Sequence, residues 1–464
     1  MSRCGFVTRN VAKAPAACKD HRVGIDFAIV KPNMKFIADL HIHSKFSRAT
    51  SKDMVLDSLA WWAGVKGISL LATGDFTHPE WLFLMKEKLV PDGSGFLRFK
   101  NGLQPPAPAL AGALRRPASG AAFVLSTELS FIYSKGGKVR KIHLMVLAPD
   151  LETVEKINGR LQGGGNLSSD GRPILGLDVR LFARMAAEIS PRIVLIPSHI
   201  WTPWFSLFGA NSGFDSVEEC FEEMTPFIFA LETGLSSDPA MNWRLSALDR
   251  FALVSNSDAH SPSKLGREAN VFQTEFSYKG LVGALRSRDP SMFLETIEFF
   301  PEEGKYHYDG HRKCGVVCSP RESLKTNNLC PRCGKPLTVG VLHRVEELAD
   351  RAPGETPTGR IPFRYLIPLN EVIAEALGKT PECQSVWDVY FKLVREFGTE
   401  LRVLTEVPAS EVDRFAPEKV GLGIERMRHG EVRIEPGHDG EFGKIELFAG
   451  GSVGESGPPQ LSLF

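Results

Sequence analysis

Long apolar runs, net charge and histidine are all scarce in this 464-residue chain. No apolar run is long enough to span a bilayer as a helix, so the sequence predicts no membrane partner. The first 33 residues lean basic but lack the continuous apolar stretch of a secretory signal. Strong patterning begins at Met34, which predicts a disordered extension over 1–33. Lys and Arg total 55, as do Asp and Glu, so the bulk charge selects no polyanion. Any nucleic-acid surface must be a local patch. Eight cysteines without a secretion signal imply a reducing compartment. No short-period repeat is present. The remainder is an ordinary globular composition, 43% hydrophobic and 24% charged, long enough for two or three domains.

From Lys35 to about Phe276, β-rich runs alternate with amphipathic segments. "KFIADL", "ISLLAT", "AAFVLSTEL", "KIHLMVLA", "RIVLIPS", "FIFALET" and "FALVSNS" read as strands. "DMVLDSLAWWAGVK", closed by Gly67, "LDVRLFARMAAEI" and "PAMNWRLSALDR" read as helices. The alternation predicts an α/β architecture with a mainly parallel sheet, open or closed into a barrel. "NGLQPPAPALAGALRRPASG" reads as a surface insertion.

Polar residues gather where these strands end. "DLHIHS" supplies Asp39, His41 and His43; "ATGDFTH" supplies Asp75 and His78; Glu128 follows Thr127. His199 ends "IPSH", and "SNSDAH" supplies Asp258 and His260. His143 departs from the pattern, lying near the start of its run. Parallel α/β folds bind ligands at the C-terminal ends of their strands. His41 and His43, two apart on a strand, point to one face and can reach one ion. Six of the 12 histidines occupy these strand-linked positions, with carboxylates beside them. Such a donor set suits zinc, manganese or iron and tolerates magnesium. A carboxylate such as Glu128 can bridge two ions, and closely spaced ions clamp an in-line displacement at phosphorus.

His41-x-His43, Asp75 with His78, Glu128, His143, His199 and Asp258-x-His260 resemble, in order and residue type, the ligand series of the PHP (polymerase and histidinol phosphatase) superfamily. The resemblance implies a distorted (β/α)7 barrel over 34–300 that hydrolyses phosphoesters with two or three divalent ions (Zn, Mn or Mg). It implies one ion on His41, His43, Glu128 and Asp258, and a second on Glu128, His143 and His199. A third would lie on Asp75 and His78 with His260. Asp258, His260 and Glu128 would be central to catalysis.

Residues 301–340 read differently. "CGVVC" and "CPRC" place Cys314, Cys318, Cys330 and Cys333 as two close thiol pairs across a short loop. Four thiolates so spaced predict a zinc ribbon with one structural Zn. His307 and His311, just upstream, read as surface histidines. Cys4, Cys18, Cys220 and Cys383 read as ordinary thiols. Over 341–448, helical patterns lead into "GLGIERMRHGEVRIEPGHDGEFGKIELF", which reads as short strands. This predicts a small mixed α+β C-terminal region. Arg426, Arg428 and Arg433 cluster there, although a solvated strand face is their default reading.

"ADLHIHSKFSRATSKDM", "PSHIWTPWFSLFG" and "VLHRVEELADR" are similar to the endonuclease Q family, and the resemblance runs from about Met34 to Phe448. It implies a repair nuclease that nicks DNA 5′ of uracil, hypoxanthine or xanthine, and sometimes at abasic sites, leaving a 3′-hydroxyl and a 5′-phosphate, with the C-terminal region contacting DNA. An enzyme that inspects one base must expose it, by flipping it into a pocket. Trp201, Trp204 and Phe205, directly after His199, could stack on that base or fill the gap it leaves, and could equally pack between loops. Lys45, Arg48 and Lys52 could hold backbone phosphate. Rival readings are a small-molecule phosphatase of the PHP type and a non-catalytic DNA-binding protein.

The chain finishes "GGSVGESGPPQLSLF". "QLSLF" resembles the pentapeptide that docks on the bacterial DNA polymerase sliding clamp (the beta clamp). By that resemblance Leu463 and Phe464 fill apolar pockets, Leu461 packs along the groove and Gln460 bonds at its rim. Residues 449–459 would serve as a flexible tether. The motif points to a bacterial cytoplasm, at the nucleoid.

Overall fold

The computed structural model describes residues 33–100 and 120–448. The N-terminal extension, the Ala/Pro-rich insertion through residue 119 and the tail with its clamp-like motif lie outside the described residues.

Alternation along the strands builds two cores. Phe36 and Ala38 (strand Asn33–Asp39), Leu70 (Leu70–Ala72), Ala122 and Val124 (Ala122–Lys135), and Met145 and Leu147 (Lys138–Ala148) all face one buried cluster. Val194 and Ile196 (Val194–Pro197), Ala230 (Ala230–Glu232), Ala252 and Val254 (Ala252–Val254) and Phe272 (Ala269–Glu275) join it. The intervening residues, such as Leu71, Phe123, Val146, Leu195 and Leu231, face a second cluster shared with the helices. Period-2 side-chain alternation thus buries both faces of the sheet, and helix Tyr278–Ser287 contributes to the first cluster as other helices do to the second.

The central sheet is mixed, where the sequence predicted a mainly parallel one. Strand Asn33–Asp39 runs parallel to Leu70–Ala72 but antiparallel to Ala269–Glu275. Strand Ala122–Lys135 returns at once through Lys138–Ala148 as a long antiparallel hairpin. The cause is a two-residue Gly136–Gly137 turn with φ of 60° and 74°, the left-handed pair that tight hairpins favour. The hairpin also accounts for His143. On an antiparallel strand, the early residues lie at the end of the sheet where the parallel strands finish.

Strands Ala230–Glu232 and Ala252–Val254 pair in parallel as a separate ribbon. Side chains tie that ribbon to the main sheet. The Leu40 N–H donates to Asn256 Oδ1 at 2.8 Å, and the Ser255 N–H to Asn270 Oδ1 at 3.0 Å.

Helix Leu56–Lys66 ends at Gly67 with φ 95°, as the sequence predicted. Its Trp61 and Trp62 pack on Phe391 and Trp387 of helix Gln384–Phe397, and Lys66 Nζ lies 2.6 Å from Glu400 in the core. The C-terminal helices are therefore fastened to the sheet's outer layer. "PAMNWRLSALDR" is α-helical only over Pro239–Asn242, where Asn242 turns its amide back to Ser237 and Asp238, and resumes as a short 3-10 turn over Ser246–Leu248. "EKVGLGIERMRH" forms helix Glu418–His429 where strands were expected. Its glycines serve close packing: a Cβ on Gly421 would lie 2.4 Å from Asp413 Oδ1. Arg426 and Arg428 lie on this helix and cap the carbonyls of Leu447, Leu404 and Val403. No helix among the described residues is long and apolar enough to cross a membrane.

Candidate metal centre

His41 and His43 leave their strand on one side of the sheet, and each is held at Nδ1 by a carboxylate. Both oxygens of Glu232 lie 3.0 Å from His41 Nδ1, and Asp75 Oδ1 lies 3.1 Å from His43 Nδ1. This is the outer-shell pattern that fixes an imidazole's tautomer and aims its other nitrogen at a metal. Both Nε2 atoms point toward Glu128 Oε2, at 3.6 Å from His41 and 3.4 Å from His43. Asp258 Oδ1 completes the group, 3.1 Å from His43 Nε2 and 3.9 Å from His41 Nε2. The other Glu128 oxygen, Oε1, lies 3.1 Å from His143 Nδ1 and 3.0 Å from His199 Nε2. Glu128 thus faces a separate donor set with each oxygen, as expected for a bridging carboxylate.

These donors gather as His41, His43 and Glu128; as Glu128, His143 and His199; and as His43, Asp258 and His260. Asp75 and His78 do not join His260 in the third set expected from the sequence. Asp75 is spent on His43 and on Ser44 and Ser47, whose hydroxyls donate to its Oδ2. His78 precedes helix Pro79–Lys88 and stacks on Phe46 with ring centroids 4.1 Å apart.

His41 Nε2, His43 Nε2 and Asp258 Oδ1 are buried without hydrogen-bond partners. Orphaned polar atoms each cost about 1–3 kcal/mol, so three converging on one place mark a ligand site. Imidazole and carboxylate together fit divalent ions.

Charge organises the site as well. Burial pushes the Glu128 carboxyl up, but His143, Arg172 and His41 overcome it and hold the group well below the usual carboxylate range. Burial opposes protonation of His41 and His43. Even so, Glu232 and Glu128 hold His41 well above the ordinary histidine value, and Asp258 and Asp75 do the same for His43. Three site residues occupy the left-handed backbone region without being glycine: Asp75 (φ 48°), His199 (φ 31°) and Asp258 (φ 46°). Such strain collects at functional sites, where surrounding structure holds it.

Two residues at this site carry no sequence signature. Glu232 lies 191 residues from His41 in an unremarkable "ALETG", and only folding joins them. Arg172 reaches in from the loop after helix Leu151–Leu161 and donates from Nη1 to Glu128 Oε2 at 3.0 Å. A Cβ on the preceding Gly171 would lie 2.2 Å from Asp75 Oδ2, so that loop is seated directly on the site.

The aromatic candidates separate. Trp201 is buried, stacks near Phe208 and donates Nε1 to Asn242 Oδ1 at 2.8 Å, so it packs the core. The Phe205 ring lies 4.7 Å from His143 and supports that ligand. Trp204 is half exposed, edge-on to Tyr306. Arg48 is exposed and pairs with Asp170 at 3.2 Å, while Lys45 lies over the Phe46 ring.

In the ribbon, Cys314, Cys330 and Cys333 come together with His311, and Cys318 packs against the same small cluster. Strand Asp309–His311 pairs antiparallel with Val316–Cys318, and Cys318 falls opposite Asp309, at the far end from His311. The missed signal is spacing: His311-x2-Cys314 repeats the interval of Cys330-x2-Cys333. His307 is buried rather than a surface residue.

Residues 368–431 match the family described as the MJ0043 C-terminal domain. Over 258 residues the chain is 35% identical to the uncharacterised protein MJ0043 of Methanocaldococcus jannaschii, covering 53% of this chain and 31% of that longer protein. Over 425 residues it is 30% identical to the uncharacterised protein YqxK of Bacillus subtilis, covering 89% of this chain and 99% of that one. The crystal structure of the lesion-specific endonuclease PfuEndoQ from Pyrococcus furiosus superposes with a TM-score of 0.76 at 30% identity, covering 89% and 95% of the two chains. An endonuclease Q complex with a 27-mer duplex bearing an abasic lesion at the active site gives a TM-score of 0.75 at 31% identity, covering 89% and 96%. With fold and sequence shared over nearly the full length of both chains, this chain belongs to the endonuclease Q family of metal-dependent nucleases.

Proposed function

We propose that the protein is a DNA repair endonuclease that hydrolyses the phosphodiester 5′ of a deaminated base (uracil, hypoxanthine or xanthine), leaving a 3′-hydroxyl and a 5′-phosphate. The observation that carries this reading is Glu128, bridging two donor sets in a chain of the endonuclease Q fold. His41, His43, Glu128 and Asp258 would hold one divalent ion, and Glu128, His143 and His199 a second. When bound, such ions supply positive charge to the scissile phosphate and lower the pKa of an attacking water. Asp258 and His260 stand at the open side, with side chains 25% and 32% exposed, where a phosphate can meet the donors. Arg172, also partly open, would turn its guanidinium to that phosphate and offset its charge in the transition state. His311, Cys314, Cys330 and Cys333 would hold a structural zinc. A PHP-type barrel is the reading we give the strand-wrapped interior. Gln460, Leu461, Leu463 and Phe464 would dock on a sliding clamp and raise the enzyme's concentration at replicating DNA.

Chelation tests the metal requirement. Duplex DNA with one uracil should be nicked in Mg²⁺ or Mn²⁺, left intact after EDTA, and nicked again when metal is restored. Nicking that survives full metal removal contradicts the reading. Clamp docking is tested by binding of the full chain to an immobilised sliding clamp. Removal of residues 460–464 should abolish it, and unchanged binding would exclude the motif.

A further inference from the structure

His199 opens a long loop, residues 199–216, that ends where helix Val217–Phe221 begins. Two donors of the second set depend on it. Thr202 Oγ1 lies 3.1 Å from His199 Nδ1. The Phe205 carbonyl accepts the His143 backbone N–H at 3.0 Å, and the Phe205 ring packs on the His143 imidazole. The loop has no slack. The Phe208 N–H returns to the Ile200 carbonyl at 2.8 Å and the Phe214 N–H to the Leu207 carbonyl at 2.7 Å. A Cβ on Gly209 would lie 2.5 Å from the Thr202 carbonyl oxygen. In packing this close, a shift at Phe208 is passed on to Thr202 and Phe205.

No helix or strand runs through residues 199–216, so side chains from outside hold them. Arg140, on strand Lys138–Ala148, donates from Nη1 to the Gly213 carbonyl. Arg344 holds two more carbonyls. Its Nε donates to Phe208 at 3.1 Å across 136 residues of sequence, its Nη2 donates to Phe214 at 3.3 Å, and Nη2 also pairs with Asp215. Phe208 and Phe214 are each 1% exposed, so Arg344 grips the loop at its two fixed points.

Arg344 lies on helix Val341–Leu348, the first helix after the ribbon. Its neighbour His343 is buried and bonds to the ribbon instead, with Nδ1 2.7 Å from Asp309 Oδ2. Asp309 opens ribbon strand Asp309–His311 and also accepts the Gly340 N–H at 2.7 Å and the Ser323 hydroxyl. The Val341 N–H is held by the Tyr306 carbonyl at 2.7 Å. Further along, Glu346 accepts from Arg321 of the ribbon at 3.3 Å and from Arg244 at 2.7 Å. The helix is docked on the ribbon and reaches the metal-centre loop through one planar guanidinium. Such a fork fixes several acceptors at once, which an ammonium cannot do.

We infer that Arg344 is a positioning residue for the second donor set: through it the ribbon fixes the loop that seats His143 and His199. The inference rests on the reading of Glu128, His143 and His199 as metal ligands. Arg344 bonds to none of the three, so it would act on a bound ion only through the loop.

Calorimetric titration of the full-length protein with Mn²⁺, its ribbon loaded with zinc beforehand, tests this. His199→Ala identifies which class of site belongs to the second set. Arg344→Ala should weaken that class by about tenfold, the lower end of the effect of outer partners, and leave the other within about twofold. Excess Mn²⁺ should then restore nicking, because the ligands themselves are intact. Arg344→Lys keeps the charge without the fork and should show a smaller loss in the same class; it carries the comparison if Arg344→Ala does not fold. Arg351→Ala is the control, since Arg351 pairs with Asp249 and bonds to the Trp243 carbonyl, and it should alter neither class. Unchanged affinities in the Arg344 variants, equal losses from both classes, or the same selective loss in Arg351→Ala overturns the inference. An unaltered protein that binds no Mn²⁺ removes the metal-centre reading itself, a separate result. The titration contains no DNA, so its outcome is independent of the nuclease reading.

Discussion

Glu232 and Asp75 are defined by what they touch. Each holds a histidine by Nδ1 and leaves Nε2 free, so each would act on a bound metal through another residue. Glu232→Ala should weaken metal affinity by about 10- to 100-fold with the protein still folded, measured by isothermal titration beside a circular dichroism control. Unchanged affinity would reduce Glu232 to a packing role. In the ribbon, His311→Ala should lose the bound zinc, whereas Cys318→Ser should keep one equivalent by metal analysis. The reverse pattern would restore Cys318 as the ligand. Of the nine histidines and carboxylates, six were conspicuous in the sequence because they sit at strand ends in pairs, and Glu128, His143 and His199 joined them by order and residue type. That signal could not separate a ligand from the carboxylate behind it, and so Asp75 read as a donor. Glu232 and Arg172 were hidden for a different reason: their partners lie 191 and 44 residues away and no local motif marks them.

At the scale of elements, the site depends on a hairpin and a loop. The Gly136–Gly137 turn sends His143 back beside Glu128, and the loop before strand Ile174–Leu175 carries Arg172. Gly171→Ala must displace that loop, since the added methyl meets the fixed Asp75 carboxylate rather than a flexible side-chain end. Nicking should fall by about tenfold or more, assayed well below the melting temperature, and the larger share should come from misplaced Arg172. Full activity in this variant would detach the loop from catalysis. Arg172→Ala tests the same contact directly, with an expected loss of about a hundredfold in kcat. Helices and strands with strong periodicity were readable in advance, Leu56–Lys66 with its Gly67 stop above all. Helix Glu418–His429 was not, because Gly421 and Gly423 imitate turn signals while serving close approach to Asp413 and Phe448. The mixed strand directions were missed because alternating β and α patterns suggest parallel crossovers; the Gly136–Gly137 turn accounts for one antiparallel pairing, and that of Asn33–Asp39 with Ala269–Glu275 joins strands far apart in sequence.

At the scale of the whole molecule, buried carboxyls with raised pKa values set a pH dependence, Glu298 and Glu268 among them. Burial pushes Glu298 up to about 8 from its ordinary 4.5, and its Oε2 has no partner. Burial, with the Glu298 charge adding, raises Glu268 likewise. A raised acid pKa means that the folded state binds more protons than the unfolded chain. The contribution is therefore fully present below about pH 4.5 and is lost as pH rises through about 8. Metal-free protein should lose stability on the order of a few kcal/mol across that window, and Glu298→Gln should flatten the slope in urea titrations. A slope that the substitution leaves intact would assign the effect to other groups.

The claim that joins all three scales is that the Glu128-centred donor sets cut DNA beside a deaminated base. The most direct measurement maps the nick. End-labelled duplex containing one uracil or hypoxanthine, run against undamaged duplex with Mg²⁺ or Mn²⁺, should show a single break immediately 5′ of the lesion. Its ends should be a 3′-hydroxyl and a 5′-phosphate, and Asp258→Ala should abolish it. Cleavage of undamaged DNA at the same rate, or a break at any other position, would contradict the account.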